Sequence, residues 1–217
     1  MFLSIFDPQI PIYVVLASII SLIVSITFHE FCHAITADKL GDPTPRGYGR
    51  VSLNPAVHFD PIGFIAVLFL PFGWGRPVPI NPLNFKNPRV GDVISTFMGP
   101  FANFILIVVG ILVAKILYIV SAGSHLGLYS TIETIIGIFI TKNLILMIFN
   151  LFPIPPLDGY HVAGFLLPHN IKDSIDDFFA RQNFVITLVF IFIVSQLLSP
   201  LTYNIYAFGV NVISWFL

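Results

Sequence analysis

Charge is what this sequence has least of. Of its 217 residues only 10% are Asp, Glu, Lys or Arg, while 56% are hydrophobic and the mean hydropathy is +0.91. A water-soluble domain carries about a quarter charged residues, so lipid is the solvent implied for most of the chain. The Lys and Arg residues are dispersed and offset by acidic ones, giving a formal net charge of -1. Without a basic cluster there is no electrostatic footprint for nucleic acid, and that class of partner is excluded. A single cysteine, Cys32, rules out an intramolecular disulfide and reads as a small packing residue. The opening stretch from Met1 to Val15 lacks the basic n-region and small-residue cleavage site of a signal peptide. The first apolar run is therefore expected to be retained as a span. No repeat, low-complexity tract or long linker interrupts the chain, so residues 1–217 are expected to form one membrane-embedded domain.

What is present is a set of apolar runs. Residues 12–28 carry no charge, and a helical pattern continues from them until Gly41-Asp42-Pro43 stops it. The uncharged part alone is about 26 Å long as a helix, close to the thickness of a hydrocarbon core. A second span is expected over 93–114, extended to Val120 beyond a lysine able to snorkel. A third is expected over 134–157, interrupted near its end by Pro153, Pro155 and Pro156. Beyond Arg181 no charged side chain occurs, and Pro200 divides that tail into candidate spans over 184–198 and 202–217. Residues 61–73 are apolar but too short and too rich in Pro and Gly to cross as a helix, which suggests a re-entrant or extended membrane-embedded segment. The fold class expected is thus an all-α polytopic membrane protein with about five transmembrane helices plus that segment. Basic residues fall in 37–59, 74–92 and 159–182, and none in the loops at 121–130 and 199–201. With the basic segments cytoplasmic, the N-terminus lies outside and the first helix runs inward. Lys142, partway along a span, is costly there unless it snorkels or pairs.

The polar residues inside these runs carry the chemistry. His29-Glu30-Phe31-Cys32-His33 is an H-E-x-x-H string. On a helix its i, i+4 spacing puts both imidazoles on one face, one turn apart, as two zinc ligands require. Glu30, rotated about 100° from His29, can reach a water on the metal without being a ligand itself. The chain has only one other glutamate, Glu133, so a chance match is rare. The bland alternative, two histidines and a glutamate satisfying one another in a bundle, is disfavoured because ionisable groups late in a span are costly and functional by default. A catalytic zinc needs a third protein ligand and an open position. The candidates are Asp158, His58, His125, His161 and His169. Asp158 leads, since it follows a proline-rich break at the end of a span and precedes Gly159, which permits close backbone approach. Asn150, with Asn103 second, is the candidate donor to a developing oxyanion, against an equal prospect that each joins helices as polar glue. His58 is balanced between structural hydrogen bonding and a role near the site. The 23 phenylalanines read as lipid-facing and packing surface.

The pairing of His29 to His33 with Asn150 to Gly159, of the form N-x-x-P-x-P-x-x-D-G, resembles the site-2 protease family, of the small bacterial type. Gly49 to Pro55 with His58, Asp60-Pro61 and Gly63, Pro77 to Asn81, and Gly99-Pro100-Phe101-Ala102-Asn103 extend the likeness over about residues 25–165. Met98 stands where a small residue is usual. No PDZ or CBS module accompanies the motifs, so control by one is not implied. The resemblance implies an intramembrane zinc metalloprotease in which His29, His33 and Asp158 bind one zinc ion and Glu30 is the general base. It implies transmembrane protein substrates and a multi-pass place in a cell membrane among lipid; the short N-terminus without transit-peptide features favours a bacterial cytoplasmic membrane, and the distribution of basic residues puts the active site toward the cytoplasmic side. Composition suggests that the segment 45–85 offers an extended edge to an unwound substrate. The alternative from another class is a metal-binding or metal-transport protein with the same ligands and no peptidase activity.

Overall fold

Proline or asparagine marks where two of the three long helices begin, and Gly127 precedes the third. The computed structural model describes residues 9–61, 63, 75–121, 127–181 and the single positions 193, 196, 200, 204 and 207. Helix α1 (Ile12–Lys39) follows Pro11 and ends just before Gly41, as its sequence predicts. Among the described residues two short helices follow, α2 (Thr44–Gly47) and α3 (Pro55–His58), and later a turn of 3-10 helix at Pro82–Asn84. Helix α4 (Pro88–Val120) starts earlier than its uncharged run suggests. Asn87 accepts a hydrogen bond from the Val90 N–H and Pro88 fills the first helical position, so Arg89 and Asp92 are already helical. Helix α5 (Leu128–Asn150) both begins and ends before the limits expected of the third span. It stops short of Pro153 because prolines supply no N–H to continue the ladder. Helices α6 (Asp158–Gly164) and α7 (His169–Ala180) are the last continuous elements among the described residues. Apart from isolated positions, the segment expected over 61–73 and the spans expected over 184–198 and 202–217 lie outside the described residues, as does His125.

Among the described residues all regular structure is helical, and α1, α4 and α5 are the helices long and apolar enough to cross a membrane. Their contacts fix their directions. His33 meets Ser95 while Ser25 and His29 meet Asn103, so α1 and α4 are antiparallel. Asn103 meets Asn143 while Gly110 meets Ile140, so α5 reverses direction again. The C-terminal ends of α1 and α5 and the start of α4 therefore share one end of the bundle.

Burial in this bundle is inverted relative to a water-soluble one. Ile12, Leu16, Ile20 and Val24 form an exposed stripe on α1, and Phe97, Phe101, Phe104 and Val108 form one on α4. Facing inward are Ser21, Ser25, Ala34 and Ala37 of α1, Ser95, Gly99, Ala102 and Asn103 of α4, and Asn143 of α5. Lipid offers no hydrophobic drive between helices, so small residues that admit close approach and buried polar pairs hold them together. A methyl at Gly110 would meet the Ile140 side chain at 2.7 Å, beside the apolar cluster of Ile107, Ile140, Leu144 and Ile148.

Where α1 ends, one buried carboxylate gathers the loops. Asp42 is fully buried and accepts from the Thr44 N–H and hydroxyl, the Asn84 side-chain amide and, at 2.7 Å, the Asn81 N–H. Burial alone would raise its pKa, but these donors outweigh it and hold the group below the ordinary carboxylate value. A lowered folded pKa stabilises the protein at neutral pH, and that contribution is lost as pH falls below the unfolded value near 3.8. Asp42→Ala empties a fully buried position and takes their carboxylate acceptor from the Thr44 and Asn81 N–H groups and the Asn84 amide. It is expected to cost about 2–3 kcal/mol in the unfolding of purified protein in detergent, with Asp42→Asn costing less.

Candidate metal centre

One turn of α1 separates His29 from His33, and their Nε2 atoms lie 3.0 Å apart. Asp158 reaches them from a distant part of the chain. The segment after α5 leaves helical geometry at Leu151, turns through Pro153, Pro155 and Pro156, and delivers Asp158 as the first residue of α6. A Cβ on Gly159 would run into the Leu151 carbonyl, so a glycine is what lets this turn fold so tightly onto α6. Asp158 Oδ2 is 3.1 Å from His29 Nε2 and 3.4 Å from His33 Nε2. Among the described residues these are the group of His, Cys, Asp or Glu side chains that converge closely enough to hold an ion.

The far side of each ring decides what faces the centre. His33 Nδ1 lies 2.8 Å from the Ser95 carbonyl, which only accepts, so Nδ1 bears the proton. His29 Nδ1 lies 2.7 Å from Asn103 Oδ1, again an acceptor. A neutral imidazole protonated on Nδ1 presents a lone pair at Nε2. Two such lone pairs and an ionised carboxylate then point at one another with no hydrogen to share. Asp158 Oδ2 accordingly has no hydrogen-bond partner despite its two close nitrogens. Three converging acceptors repel unless a cation joins them. Four ligands at the usual zinc distances of 2.0–2.1 Å stand about 3.3 Å apart in a tetrahedron, which matches the spacing seen here. The donor set fits zinc with one position left open.

The surroundings are built to admit this cluster. A Cβ at Gly99 would collide with both imidazoles, so the start of the Gly-Pro-Phe-Ala-Asn string lies against the two rings with no room for a side chain. Glu30 is half-buried, and its Oε2 accepts the Val78 N–H at 3.2 Å. The stretch that carries Val78 is itself tied down, since the Arg76 N–H donates to the His58 carbonyl and the Arg50 guanidinium donates to the Arg76 carbonyl. His58 is buried, donates from Nε2 to the Ser52 carbonyl, and is kept on the neutral side by that burial. His161 pairs instead with Asp92, linking α6 to α4, and His169 opens α7. Asn150 donates to the Leu146 carbonyl of its own helix. Both hydrogens of the Asn103 amide are spent on the Ser25 carbonyl and Asn143 Oδ1. The Ser95 carbonyl and the Val78 N–H escaped sequence reasoning because they are backbone groups, for which no residue type gives a signal.

Over 154 residues the chain is 40% identical to "Putative zinc metalloprotease YwhC" of Bacillus subtilis, an alignment covering 71% of this chain and 70% of that protein. The chain belongs to the site-2 protease family. It is also 30% identical over 152 residues to "Putative zinc metalloprotease Rip2" of Mycolicibacterium smegmatis, covering 68% of this chain and 54% of that protein. With the Rip2 of Mycobacterium tuberculosis it shares 26% identity over 194 residues, 87% of this chain and 68% of that one. No family profile and no solved structure matches the chain.

The crowding at Gly99 gives a direct test. Gly99→Ala is expected to weaken zinc binding by about 10- to 100-fold, the range found when support for metal ligands is disturbed. Gly137→Ala, where an added methyl meets nothing within 4 Å, should leave it unchanged. Competition with a chromophoric chelator measures both.

Proposed function

We propose that this chain is an intramembrane zinc metalloendopeptidase that hydrolyses peptide bonds of transmembrane protein substrates. The observation that carries the reading is the convergence of His29, His33 and Asp158 as three lone-pair donors within 3.4 Å of one another. Support comes also from the relatives, each carrying the name "Putative zinc metalloprotease", and this favours a peptidase over a metal-binding or metal-transport protein.

His29, His33 and Asp158 would hold the ion. When bound, zinc supplies Lewis-acid polarisation of the scissile carbonyl and lowers the pKa of water enough for attack near neutral pH. Glu30, the residue after His29, accepts the proton from the attacking water and returns it to the leaving amide nitrogen. The Val78 N–H holds one Glu30 oxygen and leaves the other for that proton. Asn103, with both amide hydrogens committed, serves His29 rather than an oxyanion. Asn150 makes one bond from its amide to Leu146, leaving the second hydrogen for the substrate oxyanion. The substrate helix must unwind first, because its amides are otherwise occupied by their own hydrogen bonds.

The basic segments set the orientation of this reading: N-terminus outside, α1 running inward, and the metal centre toward the cytoplasmic side of a bacterial membrane. His33 lies six residues before the end of α1, about 9 Å in from that end of the bundle. Such a depth suits cleavage near the edge of the hydrocarbon layer. The five spans and single domain expected from the sequence belong to the same proposal.

Incubating purified wild type and Glu30→Gln with a panel of single-span proteins, with cuts mapped by mass spectrometry and metal assayed in parallel, tests it. Both proteins should carry zinc, and the variant should cleave about 10²- to 10⁴-fold more slowly. Zinc in both with no Glu30-dependent cut would favour the metal-binding alternative.

A further inference from the structure

Two backbone carbonyls, one on α5 and one on α1, set the direction of a hydrogen-bond chain that ends at the metal centre. The Phe139 carbonyl lies 2.9 Å from Asn143 Nδ2. A carbonyl only accepts, so the nitrogen of the Asn143 amide must face it and the oxygen must face away. That oxygen meets Asn103 Nδ2 at 3.0 Å, and the Ser25 carbonyl lies 3.4 Å from the same nitrogen. With its nitrogen facing two acceptors, Asn103 turns Oδ1 toward His29 Nδ1, at 2.7 Å. Nδ1 must then carry the proton, and the lone pair of His29 falls on Nε2, the atom facing His33 and Asp158.

Asn103 and Asn143 are both 0% exposed, so no water relieves a reversed amide. Turning either one over would set oxygen against oxygen at a carbonyl, in surroundings where an unpaired polar group is expensive.

We infer that Asn143 is a positioning residue for zinc, which acts through Asn103 to hold His29 in the one tautomer able to bind the metal. The inference rests on His29 being a zinc ligand, as proposed above. Asparagines between membrane helices also serve as simple glue, and the two roles predict different results. Glue affects the stability of the bundle whatever the polarity of the bond. A tautomer relay affects metal affinity, and only when the acceptor facing Asn103 is lost.

The test is zinc affinity, by chelator competition on purified protein in detergent, beside the melting temperature of the metal-free form. Asn143→Leu keeps the volume and removes the acceptor, and is expected to bind zinc about 10- to 100-fold more weakly. Asn143→Asp, protonated at this depth, keeps an oxygen toward Asn103 and a hydroxyl toward Phe139, and should retain affinity within about threefold of wild type. Should the leucine variant fail to fold, Asn143→Ala carries the same expectation. Wild-type affinity in the leucine or alanine variant, or an equal loss in the aspartate variant, would overturn the relay. A wild-type protein that binds no zinc would instead overturn the function proposed above.

Discussion

Three lone pairs aimed at one point are the constraint around which this protein is arranged. His29 Nε2, His33 Nε2 and Asp158 Oδ2 lie closer than uncompensated acceptors tolerate, with both histidines buried and the carboxylate only partly exposed. A divalent cation at that point would turn the repulsion into attraction, being the largest local charge in the site. Much of the surrounding structure serves to hold the donors in place. The Ser95 carbonyl and Asn103 fix the rings from behind, Gly99 makes room for them, and a proline-rich turn swings the carboxylate in from the end of α5.

The same arrangement explains why the helices present bulky apolar side chains outward and small or polar ones inward. Packing in lipid rewards close approach, and close approach is also what brings α4 against the two histidines. One set of residues, Ser25, Ser95, Gly99 and Asn103, thus does both jobs. At the end of the bundle shared by the last turns of α1 and α5, Asp42 binds the Asn81 and Asn84 stretch to α1. That stretch continues back to Val78, whose N–H holds Glu30. The general base of the proposed reaction is therefore positioned by a loop clasped at Asp42 and at Arg50, rather than by α1 alone.

What could be read in advance follows from where chemistry is written in side chains. The H-E-x-x-H string declares itself because helical spacing converts directly into a shared face, and Asp158 declares itself through the prolines that precede it. The length of α1 was legible because Gly41-Asp42-Pro43 stops it. The start of α4 was not, because the cap at Asn87 outranks the charges at Arg89 and Asp92 that precede the uncharged run. Asn103 is by sequence only the second candidate oxyanion donor after Asn150, with polar glue between helices an equal prospect, because identity alone does not say which way an amide faces. Its partners show the oxygen turned to His29 and the nitrogen spent on Ser25 and Asn143. Asn143 gave no signal of its own, since a lone asparagine in a span is ordinary glue until its neighbours are known. The contributions of Ser95 and Val78 belong to the backbone and have no letter in the sequence.

X-ray absorption at the zinc edge of the purified, zinc-loaded protein tests the central claim most directly, because it reads the ligand atoms without depending on activity. Two imidazole nitrogens together with oxygen ligands at about 2.0–2.1 Å are expected, and Asp158→Ala should alter the oxygen shell while leaving both imidazoles. A sulfur ligand near 2.3 Å from Cys32, or a shell with fewer than two imidazoles, would contradict the account.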